Sequence, residues 1–285
     1  MDIHLIYGPT ASGKSSLALS LAEQNDGVVI NADSMQIYDA LHILTAHPSE
    51  QEQAQCPHKL YGALSPDESC SAARWKDMAS AQISETLAAG KTPLIVGGTG
   101  FYFKSLIEGL SPIPDVPSEI RDQVMSIQEE MGNPDFYHAL SEKDPSIADK
   151  LNPNDTQRLI RAWEVLEHSG KSITYWQSLP SEGPPADWNF IHHFVNPPRD
   201  ELYERCNARF DLMMEMGAID EVKSLSKRID EGELSADSLI TKALGYEPIR
   251  AFLSQEMSLE EAKEQSKRDT RHYAKRQLTW FNNQF

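Results

Sequence analysis

One eight-residue run, Gly8-Pro-Thr-Ala-Ser-Gly-Lys-Ser15, restricts what this chain can fold into more than any other feature. It fits G-x-x-x-x-G-K-[ST], a spacing that curls successive amides around a diphosphate, adds a lysine charge and ends on a hydroxyl that can reach Mg²⁺. The flanks suit a strand–loop–helix unit. Residues 3–7 are an apolar run fit for a buried strand, and residues 16–23 have helical spacing, so a helix N-terminus would face the anion. Gly8, Pro9, Thr10, Ala11, Ser12, Gly13, Lys14 and Ser15 are therefore the expected diphosphate or nucleotide site, with Ser15 facing the metal. The motif does not say which molecule carries the phosphates, and ATP is one candidate.

The pattern around this run predicts an α/β fold, a P-loop parallel sheet flanked by helices. Residues 27–33 read as a second strand ending in an acid, residues 71–89 as a helix, and residues 92–97 and 190–196 as further strands. Between 112 and 187 the signals are helical only. Ser118 is the expected cap of a helix over 119–131, and Asn154 of one over 155–168 that closes at Gly170. Proline-rich stretches bracket this segment, which predicts an all-helical insertion covering the ligand edge of the sheet. Residues 1–111 and 188–285 would form the core with a helical C-terminal part. Its last helix starts at the capping box Ser258-Leu-Glu-Glu261 and runs towards Trp280.

With 285 residues, 40% of them hydrophobic, the chain can bury a sizeable interior. The formal charge of −17 is unusual for a nucleic-acid binder, although a basic stripe can lie on an acidic body. Cys56, Cys70 and Cys206 are odd in number and lack metal-ligand spacing, which fits reduced thiols. No apolar run is of membrane-spanning length, and the first strand leaves no room for a signal peptide; a cytoplasmic, membrane-free protein is expected.

Two more strand ends carry chemistry. Asp33, in Asn31-Ala-Asp-Ser-Met-Gln-Ile-Tyr38, could bind Mg²⁺ or take a proton, with Ser34 and Gln36 as base-edge readers; a turn aspartate is the simpler alternative. In Gly97-Gly-Thr-Gly-Phe-Tyr102, three glycines would let a ligand approach the backbone beside the Thr99 hydroxyl. On the insertion, Gln157, Arg158 and Arg161 share one turn and could grip phosphates or bases, unless Asp155 and Glu164 merely balance them. Lys263, Lys267, Arg268, Arg271, His272, Lys275 and Arg276 crowd the last helix, either for phosphate contact or to balance Glu215, Asp220 and Glu221. Arg205 and Arg209 lie four apart after the last strand, so one could reach back to the diphosphate.

Together these motifs resemble the tRNA dimethylallyltransferases. The similar segments are residues 8–15, 31–38, 97–102 and 155–162, joined by Lys242-Ala-Leu-Gly-Tyr246 and residues 270–281. The pattern departs at three places. The family commonly has Ile-Gly-Thr-Ala-Lys-Pro at Ile43-Leu-Thr-Ala-His-Pro48, His-His-Leu-Ile-Asp at His58-Lys-Leu-Tyr-Gly62, and arginine at Asp39. The resemblance implies transfer of a dimethylallyl group from its diphosphate to the N6 amine of the adenosine on the 3′ side of the anticodon, with pyrophosphate leaving. It implies Lys14, Asp33 and Thr99 as catalytic residues, Asp33 as general base, Arg209 at the diphosphate, and Mg²⁺ as cofactor. For tRNA it implies contacts from Asp33, Ser34, Met35, Gln36, Thr99, Arg121, Gln157, Arg158, Leu159, Ile160 and Arg161. A monomer is expected. The rivals are a small-molecule P-loop kinase, an adenylate isopentenyltransferase and an RNA-binding module. The insertion and the basic helix favour a macromolecular acceptor over the first two; the phosphate loop speaks against the third.

Overall fold

Strand β1 (Asp2–Tyr7) has a parallel neighbour at each edge, and Ile3, Leu5 and Ile6 are fully buried, as in a parallel sheet covered on both faces. In chain order it is followed by α1 (Lys14–Asn25), β2 (Gly27–Asn31), α2 (Glu50–Gln55), β3 (His58–Lys59), α3 (Ala72–Ala88), β4 (Thr92–Gly97) and α4 (Gly100–Glu108). The structure is a computed structural model that describes residues 1–147 and 150–285. The sheet order is β3-β2-β4-β1-β5, with β5 (Asn189–Phe194) as an edge, and every pairing is parallel. Tyr7 lies opposite Gly97, and Asn31 opposite Val96. The loops leaving β1, β2 and β4 therefore emerge side by side at one end of the sheet, where ligands of parallel sheets bind.

The chain divides into two units, Met1–Ile107 with Pro184–Phe285, and Glu108–Gly183. Expected boundaries at 112 and 187 thus move to 108 and 183. The cause is local: Leu110 bridges Glu182, and Gly109 sits against the backbone at Glu182, which ties these residues into the base of the helical unit.

That unit holds α5 (Ser118–Lys143), α6 (Thr156–Ser169) and α7 (Ile173–Gln177). Helix α5 breaks at Gly132 (φ 72°, ψ 164°), so its first segment ends close to the predicted residue 131 and a second one follows. Ser118 lies inside the first turn, behind Pro117, and does not cap it. Asp155, not Asn154, caps α6 by accepting the Arg158 amide at 3.3 Å. Phe136 stacks on Trp163 at 4.5 Å, and Val124, Leu140, Leu159 and Val165 complete a separate apolar core.

After β5 come α8 (Arg199–Met216), α9 (Ala218–Asp230), α10 (Tyr246–Leu253) and α11 (Leu259–Gln284). The capping box at Ser258 and Glu261 forms as predicted. Helix α11 buries Ala262, Ser266, Thr270, Ala274, Gln277 and Phe281, one stripe at helical spacing. No helix among the described residues is long and apolar enough to cross a membrane.

Candidate active site

The loop between β1 and α1 is held open by backbone that most residues avoid. Gly13 caps α1 at φ 99°, and Ala11 takes a left-handed φ of 62°. Two amides of the expected run from residue 10 to 15 are engaged within the chain itself. The Thr10 amide already donates to Gln277 Oε1 at 2.8 Å, and the Ser12 amide to the Pro9 carbonyl at 3.3 Å. The amides that helix geometry leaves unpaired are those around Gly13, Lys14 and Ser15, where α1 begins. Ser12 Oγ is buried without a partner among the described residues.

Lys14 Nζ donates to the Pro9 carbonyl at 2.7 Å, folded back across the loop. Burial lowers its pKa to about 8; Asp33 opposes that shift and Arg209 adds to it. Arg209 on α8 donates to Thr10 Oγ1, and burial lowers its pKa too. Arg205, one turn earlier, donates to the Ser12 carbonyl at 3.2 Å and pairs with Glu201. Both arginines of α8 thus reach the loop. A cavity of about 420 Å³ lies here, lined by Lys14, Ser15, Asp33, Tyr61, Arg205 and Arg209 among others. A second cavity of about 250 Å³ shares Thr10, Asp33, Thr45 and Arg209 with it, and its walls include Met35, Leu44, Phe210 and Met213.

Asp33 sits where the two cavities meet. Its backbone is fixed by the buried Asn31, whose Oδ1 accepts the Asp33 amide at 2.8 Å and whose Nδ2 donates to the Asp33 carbonyl at 3.0 Å. One carboxylate oxygen accepts the Met35 amide at 2.9 Å, which leaves Oδ2 for a ligand. Thr99 Oγ1 accepts the Ser34 amide at 2.9 Å and lies 3.3 Å from Ser34 Oγ. Gln36 Nε2 donates to the carbonyls of Thr45 and Ala46 at 2.8 and 2.7 Å, tying down the following loop.

The glycines of residues 97–100 make room for neighbouring parts of the chain. A Cβ on Gly97 would overlap the Ala32 backbone, one on Gly98 the Gln277 side chain, and one on Gly100 the Trp280 ring. The chain's own strand and α11 approach closely here. Gln277 completes the arrangement: while accepting from Thr10, it donates to the Gly98 carbonyl at 2.9 Å. Gln277, Asn31 and Tyr61 were not among the expected site residues.

In the helical unit, Arg121, Gln157 and Arg158 are exposed. Arg158 pairs with Asp155 at 3.2 Å, and Arg161 with Glu164 at 2.6 Å, the own-helix balance that was the alternative reading. Leu159, an expected tRNA contact, is fully buried and Ile160 packs on the same core, because apolar side chains at that spacing turn inward. The basic helix is partly balanced, though by other partners than expected. Lys267 and Lys263 face Asp211 at 2.9 and 3.6 Å, Arg271 donates to Asn207 at 2.6 Å, and Glu221 instead accepts the amides of Ile43 and Leu44. His272, Lys275 and Arg276 line an open groove with Trp280.

With this geometry in view, the chain can be set beside known proteins. A family described as IPP transferase matches residues 36–284, and one described as isopentenyl transferase matches residues 1–61. The chain is 46% identical over 280 residues to a protein of Rhodospirillum centenum named tRNA dimethylallyltransferase, covering 98% of this chain and 88% of that one. It is 46% identical over 285 residues to the protein of that name from Nitrobacter hamburgensis, covering 99% and 88%. Among solved structures, the tRNA isopentenylpyrophosphate transferase of Bacillus halodurans is 35% identical with a TM-score of 0.68, covering 99% of this chain and 87% of that one. A eukaryotic dimethylallyltransferase acting on tRNA is 28% identical with a TM-score of 0.80, covering 98% and 69%.

Proposed function

The chain belongs to the tRNA dimethylallyltransferase family, and from that premise we propose that it transfers a dimethylallyl group from dimethylallyl diphosphate to the N6 amine of the adenosine 3′-adjacent to the anticodon. One observation carries the reading. A carboxylate stands at the junction of a cationic, amide-lined cavity and a mixed cavity in which Met35, Leu44, Phe210 and Met213 form an apolar part. The first suits a diphosphate and the second a short branched hydrocarbon beside a base. In a single displacement the amine attacks the allylic carbon, the C–O bond breaks, and pyrophosphate leaves with the bonding electrons. No phosphoryl group moves.

Each residue then has a task. The amides at the start of α1, Lys14 and Arg209 meet the charge that grows on the departing pyrophosphate. Lys14 exchanges its contact with the Pro9 carbonyl for a phosphate oxygen. Asp33 accepts the amine proton on Oδ2, which offsets the weak nucleophilicity of a ring-conjugated nitrogen. Thr99, expected at the reacting centre, is assigned the positioning of the turn after Asp33, since that turn occupies its hydroxyl. The donor set suits Mg²⁺: the Ser15 hydroxyl shares a cavity with Asp33, and among the described residues no group of three or more His, Cys, Asp or Glu forms a cage. Ser15 would hold the ion, with phosphate oxygens and water completing its shell, and the ion would neutralise part of the diphosphate charge. On the tRNA side, Arg121, Gln157, Arg158 and Arg161 offer polar groups for an anticodon loop, and Lys275 and Arg276 for its backbone.

Mass spectrometry of tRNA nucleosides after incubation with dimethylallyl diphosphate tests the reading. The expected product is N6-dimethylallyl adenosine at that one position. Unmodified tRNA together with phosphate release from ATP would replace it with a kinase-type reaction.

A further inference from the structure

A small cavity of about 40 Å³ opens behind Ser15, lined by Gln36, His47, Glu52, His58 and Tyr61 among others. Tyr61 also lines the larger cavity with Lys14, Ser15 and Asp33, and with Ser15, Gln36, Ala46 and Val96 it is common to both. Two imidazoles hold the phenol ring edge-on, His58 at 5.6 Å and His47 at 6.0 Å between centroids. The hydroxyl makes no hydrogen bond to any described residue and is not sealed off from the cavities, so it is accessible to a ligand.

The surroundings determine what partner it can take. Burial raises the Tyr61 pKa far above the usual phenol value, and Asp33, Glu52 and Cys56 push the same way, so the group remains an O–H donor. His47 supplies no competing charge. Burial and then His42 lower its pKa to about 4, against a small opposing pull from Asp39, and its Nε2 is buried without a partner. A neutral donor opening towards the same space as Lys14, Arg209 and the first amides of α1 calls for an anionic oxygen acceptor.

We propose that Tyr61 belongs to the donor site, its hydroxyl donating a hydrogen bond to the diphosphate held by the phosphate loop. The proposal rests on the reading of that loop as a pyrophosphate site. It concerns this chain's own residues: Tyr61 stands where the similar pattern commonly has isoleucine, and His47 where it has lysine. On this wall the chain thus carries a neutral hydroxyl in place of an apolar side chain and a neutral imidazole in place of an ammonium.

Calorimetry of inorganic pyrophosphate binding to the full chain, with magnesium present, tests it. Tyr61→Phe retains the ring and removes one charge-assisted hydrogen bond, so the dissociation constant should rise about ten- to a hundredfold. Tyr61→Ile also removes the ring and should lose a similar factor, with Lys14→Ala as the reference for a broken loop. If the Phe variant bound like the parent, or only the Ile variant weakened, Tyr61 would be a packing residue and the proposal overturned while the loop reading stood. A parent chain that bound no pyrophosphate would overturn both.

Discussion

The phosphate-loop end of the sheet and the first turns of α6 both present charged side chains, but they hold them in opposite ways. At the loop, Lys14, Arg209, Asp33 and Thr99 are at least half buried, and each is bonded to backbone or to another loop's side chain. On α6, Arg158 and Arg161 pair with carboxylates three residues away on their own helix, and Arg158 is 73% exposed. The first arrangement fixes geometry before a ligand arrives, which is what stabilising a brief charge distribution requires. The second costs little to rearrange, because exposed ion pairs contribute only about 0–1 kcal/mol. On the proposed function, a small donor would meet a rigid site, and a large, deformable acceptor would meet adaptable side chains.

The contrast breaks most visibly at Asp33. Asp33→Asn keeps the turn but cannot take a proton, so single-turnover transfer should fall by about two to four orders of magnitude with little change in pyrophosphate or tRNA binding. A rate close to the parent's would remove Asp33 from the chemistry; rescue by excess magnesium would recast it as a metal ligand. Lys14→Ala should lower transfer by about two to three orders of magnitude. The lysine also predicts a pH dependence. With its pKa near 8 in the empty loop, it is already charged below that value; above it, binding pyrophosphate must draw in a proton. Pyrophosphate affinity should therefore weaken as pH rises past about 8, by at most about tenfold per unit, and this slope should vanish in Lys14→Ala.

Smaller losses sharpen the comparison. Gln277→Leu leaves the Thr10 amide and the Gly98 carbonyl unpaired, at about 1–3 kcal/mol each, so donor binding and the thermal midpoint should fall together. A variant with normal pyrophosphate affinity would show that the loop holds its shape unaided. Arg158→Ala should change stability by less than about 0.5 kcal/mol and leave pyrophosphate binding untouched, while weakening tRNA binding in a filter assay. A variant with parental tRNA affinity would make the pairing with Asp155 the only role of that arginine.

Much of this was legible in the sequence, for identifiable reasons. Four apolar runs gave four of the five strands, because a parallel sheet buries both faces of its strands. β3 was not legible, since two residues, His58 and Lys59, carry no period. The phosphate loop and Asp33 followed from motifs whose spacing reflects backbone geometry. The protein neighbours of the Gly97–Gly98–Gly100 loop were not legible, because a glycine records that something comes close, and not what; here Ala32, Gln277 and Trp280 do. Gln277 had a visible sign, a long polar side chain on a buried stripe of α11 otherwise made of Ala262, Ser266, Thr270, Ala274 and Phe281, but its partners lie far away in sequence. Sequence also could not choose between free and paired arginines on α6, as both use the same residues.

The clamp from Thr10 to Gln277 spans 267 positions of the chain. During biosynthesis the first strand and helix leave the ribosome long before the glutamine that sets the loop's opening has been made. Contacts of such separation form late, after their loop-closure entropy has been met. The nascent chain can therefore assemble its sheet while its phosphate loop is still unset, and pyrophosphate should protect the loop from proteolysis only once α11 has docked.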